Sequence, residues 1–376
     1  MKPVQILVAV ALSFTILLAS WGVPGCKKQE GASAPGAAPG EAAAPAGRPT
    51  GQPTSRPAAP MARLPIVPAG LPPVPVPADN PMSVEKVELG KALYFEKRLS
   101  KDGTVSCATC HDPATAWTEH RATSEGIGNQ LGGRNSPTVI NAAYMPVLFW
   151  DGRAKSLEEQ ALGPIENPVE MGNKMEAVVV DLGRLPGYKE RFKAVFGSDE
   201  ITKERVAQAI AAFERTILSG DSPYDRHVAG DPTAMTEAQK RGLAIFTGKG
   251  TCDTCHTPPL FSNGRFYNAG VDAAKPNPDE GRKKVTGEAA DMGKFRVPPL
   301  REVANTYPYF HDGSAKTLEE AVALMAGGGR DNPNLSPVLK SVRDARITEQ
   351  EQKDLVEFLK ALSGKYPVTE APKLPS

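Results

Sequence analysis

The pattern Cys-x-x-Cys-His occurs twice in this chain, as Cys107-Ala108-Thr109-Cys110-His111 and Cys252-Asp253-Thr254-Cys255-His256, and the two copies use four of its five cysteines and two of its five histidines. A lone Cys-x-x-Cys also reads as a zinc half-site or a thiol redox pair. The histidine directly after each second cysteine has no role in those readings. Covalent haem attachment uses all three side chains, because two thiols add across the haem vinyl groups and the adjoining imidazole reaches the iron. Two c-type haems are therefore expected, with Cys107, Cys110 and His111 holding one and Cys252, Cys255 and His256 the other. The chain must fold around both.

The fifth cysteine, Cys26, ends a different pattern. Met1 and Lys2 make a short positive start, Ile6 to Trp21 is free of charge and mostly apolar, and Val23-Pro24-Gly25-Cys26 follows. That is an export signal, too short for a comfortable membrane span. It resembles a bacterial lipoprotein signal, in which the cysteine is lipidated and anchors the mature protein to a membrane; simple cleavage nearby is the alternative. Covalent haem attachment and export agree on the periplasm. An exported disulfide framework has no spare cysteine pair here.

From residue 27 to about 80 the chain is dominated by Ala, Pro and Gly, with 14 of its 36 prolines between Pro35 and Pro81. Such a stretch cannot bury a core and reads as a disordered linker, semi-extended where proline is dense. The expected organisation is a signal at 1–26, a linker at 27–80, a first haem domain at 81–225 and a second at 226–376. A net charge of +1 excludes nothing by itself, and the chain shows no basic run that would point to nucleic acid, so no nucleic-acid partner is expected.

Beyond the two motifs the chain repeats itself. Gly90-Lys91-Ala92-Leu93-Tyr94-Phe95 answers Gly242-Leu243-Ala244-Ile245-Phe246, and Arg134-Asn135-Ser136-Pro137-Thr138 answers Arg296-Val297-Pro298-Pro299-Leu300. Phe149-Trp150-Asp151-Gly152-Arg153 answers Phe310-His311-Asp312-Gly313-Ser314, and each runs on into a Lys-Ser/Thr-Leu-Glu-Glu segment. Ser156 and Thr317, each with a glutamate three residues on, predict capping boxes that start helices after an Asp-Gly turn. Further helices are expected at about 83–97, 174–183, 203–218, 236–247 and 348–362, with strand patterns scarce. The expected fold is mostly α, with two cytochrome c-like haem domains related by the internal repeat.

On these residues the segment from about 83 to 362 resembles the bacterial di-haem cytochrome c peroxidase family, the cytochrome c peroxidase/MauG superfamily. The resemblance implies a peroxidatic haem in the first domain and an electron-transfer haem in the second. It implies Met325, 14 residues after His311, as the second axial ligand opposite His256. A Met/His pair raises haem potential and closes the site. At the matching place in the first repeat stands Pro164, which has no ligating atom. Glu170 matches the family's catalytic glutamate, suited to moving a proton from bound peroxide to its leaving oxygen, and Gln160 matches its active-site glutamine. Trp150 matches the aromatic residue between the haems. Asn135, with the backbone carbonyls of Thr306 and Pro308, matches an inter-domain calcium site.

One position departs from the family. A histidine that caps the peroxidatic iron in many members is replaced by Ile127, within Gly126-Ile127-Gly128. Isoleucine cannot coordinate, so the first haem is expected to be open without reductive activation, with His120 as the rival ligand. The implied function is reduction of hydrogen peroxide to water by electrons from an external small redox protein such as a cytochrome c or cupredoxin, in an enzyme that is often a homodimer. Oxidation of a side chain on a partner protein, or electron carriage and redox sensing without turnover, are the alternatives.

Overall fold

The computed structural model describes residues 64–376; the expected export signal, Cys26 and most of the expected linker lie outside the described residues. Helices dominate, and the named strands are one antiparallel pair, Phe266–Tyr267 against Phe295–Arg296. Sparse strand pattern in the sequence has its counterpart here.

Each half is closed by its first and last long helix. Val84–Tyr94 starts at Ser83, whose hydroxyl accepts from the Lys86 amide, and it packs on Lys203–Glu214, started in the same way by Thr202. In the second half Glu237–Thr247 packs on Glu349–Lys360, and both begin with full capping boxes, Thr236 with Gln239 and Thr348 with Glu351.

The two crossings share one device. A Cβ at Gly90 would lie 1.9 Å from the Ala209 carbonyl oxygen, and one at Gly242 would lie 2.0 Å from that of Asp354. No side chain fits at either place, so the repeated glycine sets how closely the helices approach. Around each crossing an aromatic cluster fills the core: Tyr94 and Phe213 in contact at 5.3 Å in one half, Phe246 and Phe358 at 5.0 Å in the other. One core draws on residues from Leu89 to Ile217 and the other from Met235 to Leu362.

The helices after the Asp-Gly turns are Leu157–Glu166 and Leu318–Ala326. Ser156 and Thr317 cap them by accepting from the amides of Glu159 and Glu320. The glutamates return the bond to Lys155 N and Lys316 N, one residue earlier than the expected box. Proline at the first position starts a helix that the sequence patterns left out, Pro186–Phe196, and Gly197 with φ 75° ends it.

Two expected boundaries need correction. Residues 64–80, placed in the disordered linker, are strapped across the folded body: Ala69 O accepts from Asp221 N at 2.8 Å, Gly70 O from Arg301 Nη2 at 3.2 Å, Pro72 O from Tyr144 at 2.8 Å, and Asn80 Nδ2 donates to Glu158 at 2.7 Å. Proline-rich backbone has unused carbonyls, and these meet donors on both halves. The chain's end, placed with the second domain, returns to the first: Pro367 O accepts from Trp117 Nε1 at 2.9 Å and Pro375 O from Arg98 at 2.9 Å. Tyr366 and Leu374 need cover and find it on the first core.

Candidate haem-binding active site

Both Cys-x-x-Cys-His motifs open onto one cavity of about 920 Å³ that runs through the two halves. The first motif forms a single helical turn, Cys107–Cys110, and the second a tighter turn, Cys252–Thr254. His111 Nδ1 lies 3.3 Å from the Trp117 carbonyl, and His256 Nδ1 lies 2.9 Å from that of Phe261. An imidazole that gives its Nδ1 proton to a carbonyl keeps the Nε2 lone pair for a metal. Burial holds both rings neutral, His256 lowered and His111 brought down to about 4.

Burial raises the thiols of all four motif cysteines, Cys110 and Cys252 to about 12. A zinc site built from both cysteine pairs would leave His111 and His256 without a role, whereas haem attachment uses all three side chains of each motif. Among the described residues no three His, Cys, Asp or Glu side chains converge on a metal position. The donor set therefore fits two covalently held haems.

The far sides of the two compartments differ. Leu157–Glu166 and Leu318–Ala326 both border the cavity, and seven residues into each stand Pro164 and Met325. Met325 shares the cavity with His256 and brings a thioether. Pro164 brings nothing that can bind iron, while Gln160, one turn earlier on the same helix, faces the cavity with Glu170.

Glu170 sits in the turn that ends the first of these helices. Asn167 Nδ2 donates to Glu170 Oε1 at 2.6 Å, while Asn167 Oδ1 accepts from Val169 N at 3.2 Å. Burial raises the Glu170 pKa, opposed by the Arg153 charge and the Asn167 bond. The neighbouring loop clasps this turn: Ile127 N donates to Glu170 O at 2.8 Å, and a Cβ at Gly126 would lie 2.1 Å from Val169 O.

The two distal candidates lie outside the cavity. Ile127 turns its Cδ1 onto Gly172 and packs against the first core. His120, the rival ligand, places Nε2 2.9 Å from Asn305 O and stacks on Tyr307 at 4.0 Å, so it is corrected to a contact between the halves.

Trp150 lies at the seam. Its Nε1 donates to Asn135 O at 2.9 Å, its carbonyl accepts from Arg296 N at 2.8 Å, and its ring meets His311 edge-on at 6.5 Å. Asn135, Thr306 and Pro308 all border the cavity. The Asn135 side chain donates to Arg121 O at 2.8 Å and its amide to His311 O at 2.7 Å.

Three residues of the site carry no sequence signal of their own. Arg153 lies over the Phe149 ring at 3.4 Å, and its charge reaches Glu170. Asn167 holds the Glu170 carboxylate from three residues before it. Glu214, on the Lys203–Glu214 helix, borders the cavity as a buried residue whose Oε2 has no hydrogen-bond partner among the described residues, and burial raises it to about 8.

The family described as di-haem cytochrome c peroxidase is matched over residues 84–233 and cytochrome c over 239–363. Cytochrome c551 peroxidase of Nitrosomonas europaea is 41% identical over 314 residues, covering 82% of this chain and 89% of its own. The chain belongs to the di-haem cytochrome c peroxidase family. Methylamine utilization protein MauG of Methylorubrum extorquens is 40% identical over 305 residues, covering 80% and 85% of the two chains. Among solved structures, a MauG-like protein associated with microbial copper homeostasis superposes with a TM-score of 0.71 at 35% identity, covering 80% and 95%. A di-haem peroxidase fold accounts for the paired motifs, the repeated helix crossings and the single shared cavity.

Proposed function

We propose that the protein reduces hydrogen peroxide to water with electrons drawn from a small redox protein, a cytochrome c or a cupredoxin. The observation that carries this reading is the inequality of the two compartments: a half-buried carboxylate, Glu170, borders the cavity in the half where Pro164 stands at the ligand position, and Met325 stands in the other. The haem supplies the two-electron chemistry at iron when bound.

This chain's residues do the rest. Glu170, held by Asn167, takes a proton from peroxide and returns it to the leaving oxygen, so that the departing group is water. Gln160 orients the substrate from the adjoining helix. Met325 and His256 would ligate the second haem, and a Met/His pair would give it the raised potential that suits an electron store. Trp150, hydrogen-bonded to Asn135 at the seam, passes electrons between the sites. Asn135 with the Thr306 and Pro308 carbonyls would hold calcium, whose preference is for mixed oxygen ligands. The export signal places the enzyme in the periplasm, with Cys26 as lipid anchor; among the described residues no helix is long and apolar enough to cross a membrane.

The test is steady-state consumption of peroxide by the di-haem protein with a panel of reduced cytochromes and cupredoxins. Donor oxidation in step with peroxide loss supports the reading. Peroxide-dependent oxidation of a partner-protein side chain with no donor turnover replaces it with the second enzyme reading.

A further inference from the structure

Two arginines hold equivalent places in the sequence repeat, and the fold treats them oppositely. Arg134 and Arg296 both border the haem cavity. Arg134 is paired with two carboxylates, Nη1 2.6 Å from Asp151 Oδ2 and Nε 2.7 Å from Asp279 Oδ2, which Arg153 and Lys284 share. Arg296 has no carboxylate partner among the described residues. It is 5% exposed, and its side-chain hydrogen bonds are two long ones to backbone, Nε to Phe149 O at 3.3 Å and Nη1 to Val297 O at 3.4 Å. Burial brings its pKa down to about 10, which still leaves it a cation at neutral pH.

A charged group is costly to bury without a partner, and proteins retain one where an opposite charge meets it. The space beside Arg296 is the cavity in which two haems are held, and each haem carries two carboxylates. A guanidinium matches a carboxylate fork for fork. We infer that Arg296 binds a propionate carboxylate of the haem attached at Cys252 and Cys255, at the seam beside Trp150.

The choice of haem follows from the chain around Arg296. Two residues on, the Pro298 carbonyl backs His256, and Phe295–Arg296 pairs with Phe266–Tyr267, the strand that follows the second motif. The Arg296 amide donates to Trp150 O at 2.8 Å, so the same residue ties this compartment to the bridge between the halves. Its repeat partner cannot serve the other haem equally, because its charge is already matched by Asp151 and Asp279. The second haem thus has a neutralised carboxylate in a buried setting. Less net negative charge near an iron favours its reduced form, which suits the electron store.

The inference rests on the two haems and not on peroxide turnover, so its test uses no peroxide. Arg296→Met and Arg296→Lys are made in the mature protein, haem content is confirmed at two per chain, and each haem's potential is read by spectroelectrochemistry beside the thermal midpoint. Arg296→Met is expected to lower both the potential of the Met325-side haem and the midpoint, because a propionate is left buried without its counter-charge, whereas Arg296→Lys keeps most of the potential. A higher midpoint with both potentials unchanged overturns the inference, since the arginine was then an unpaired burden. A lower midpoint with unchanged potentials also overturns it, leaving a packing role. Arg296→Gln gives the same readings if the methionine variant does not mature.

Discussion

Asn167 donates to Glu170 across 2.6 Å, and the two residues are the first and last of one four-residue turn beneath the first haem compartment. The bond orients the acid and favours its ionised form. Burial works the other way and wins, so the Glu170 pKa lies above the ordinary glutamate value. A base must be ionised to take a proton, and the active form is lost as pH falls through that raised pKa. The acid limb of kcat/KM for peroxide is therefore expected above the range of an exposed glutamate. Asn167→Leu removes a bond that lowers the pKa, and the limb should move further up. An unmoved limb would mean that Glu170 is not the titrating group. Glu170→Gln, with both haems intact, should lower kcat by about 10²–10⁴-fold, the usual contribution of a positioned acid-base group; turnover at the parent rate removes Glu170 from the mechanism.

Neither Ile127 nor His120 reaches the cavity, and Pro164 has no donor atom. Cyanide added to the fully oxidised protein should bind one haem per chain without prior reduction. Absence of a spectral change until one electron is added would show that another group caps the first iron.

Met325 borders the cavity together with His256, and the proposed function makes it the second ligand there. Met325→His should keep that haem low-spin but lower its potential, because methionine is the ligand that raises it. Spectroelectrochemistry reads the shift, and a potential equal to the parent's would mean that Met325 does not ligate.

Glu214 is buried, its Oε2 has no hydrogen-bond partner among the described residues, and burial lifts its pKa from 4.5 to about 8. The folded state therefore holds this proton more tightly than the unfolded chain. Its stabilising share is fully present below the unfolded pKa and is lost as pH rises towards about 8. Glu214→Gln mimics the protonated form at every pH. Its melting midpoint should match the parent's near pH 4.5 and exceed it increasingly up to about pH 8, with no further gain above. A constant difference across this window would show that Glu214 does not change ionisation on folding.

At the helix crossings the expected effect is steric. Gly242→Ala sets a methyl 2.0 Å from Asp354 O and should destabilise the second half by about 2–3 kcal/mol, the scale of overpacking a tight contact. Gly183, at the end of Met175–Gly183, has nothing within 4 Å of a built Cβ, so Gly183→Ala should be neutral or slightly stabilising. Denaturant melts of the two variants make the comparison, and equal effects would refute the close-approach account.

Much of the helical framework was legible because its signals are local. Ser83, Thr202, Thr236 and Thr348 each precede an amphipathic run and each caps the helix found there. Pro186–Phe196 escaped notice because its apolar stripe is thin, with Tyr188 and Phe192 as its buried residues. The strap at 64–80 escaped because composition reports what a segment cannot bury, and says nothing of the donors that Arg301, Tyr144 and Asp221 offer its carbonyls.

The sequence by itself determined that two haems are held, since attachment needs adjacent residues and local spacing specifies it. It also marked the halves as repeats and set Met325 against Pro164. Only the tertiary structure decided which buried charges are matched. Arg134 and Arg296 are alike in the sequence, yet one meets Asp151 and Asp279 and the other meets no carboxylate among the described residues. Charge pairing in a low-dielectric interior depends on what the rest of the chain brings within a few ångströms, and neighbours along the sequence do not carry that information.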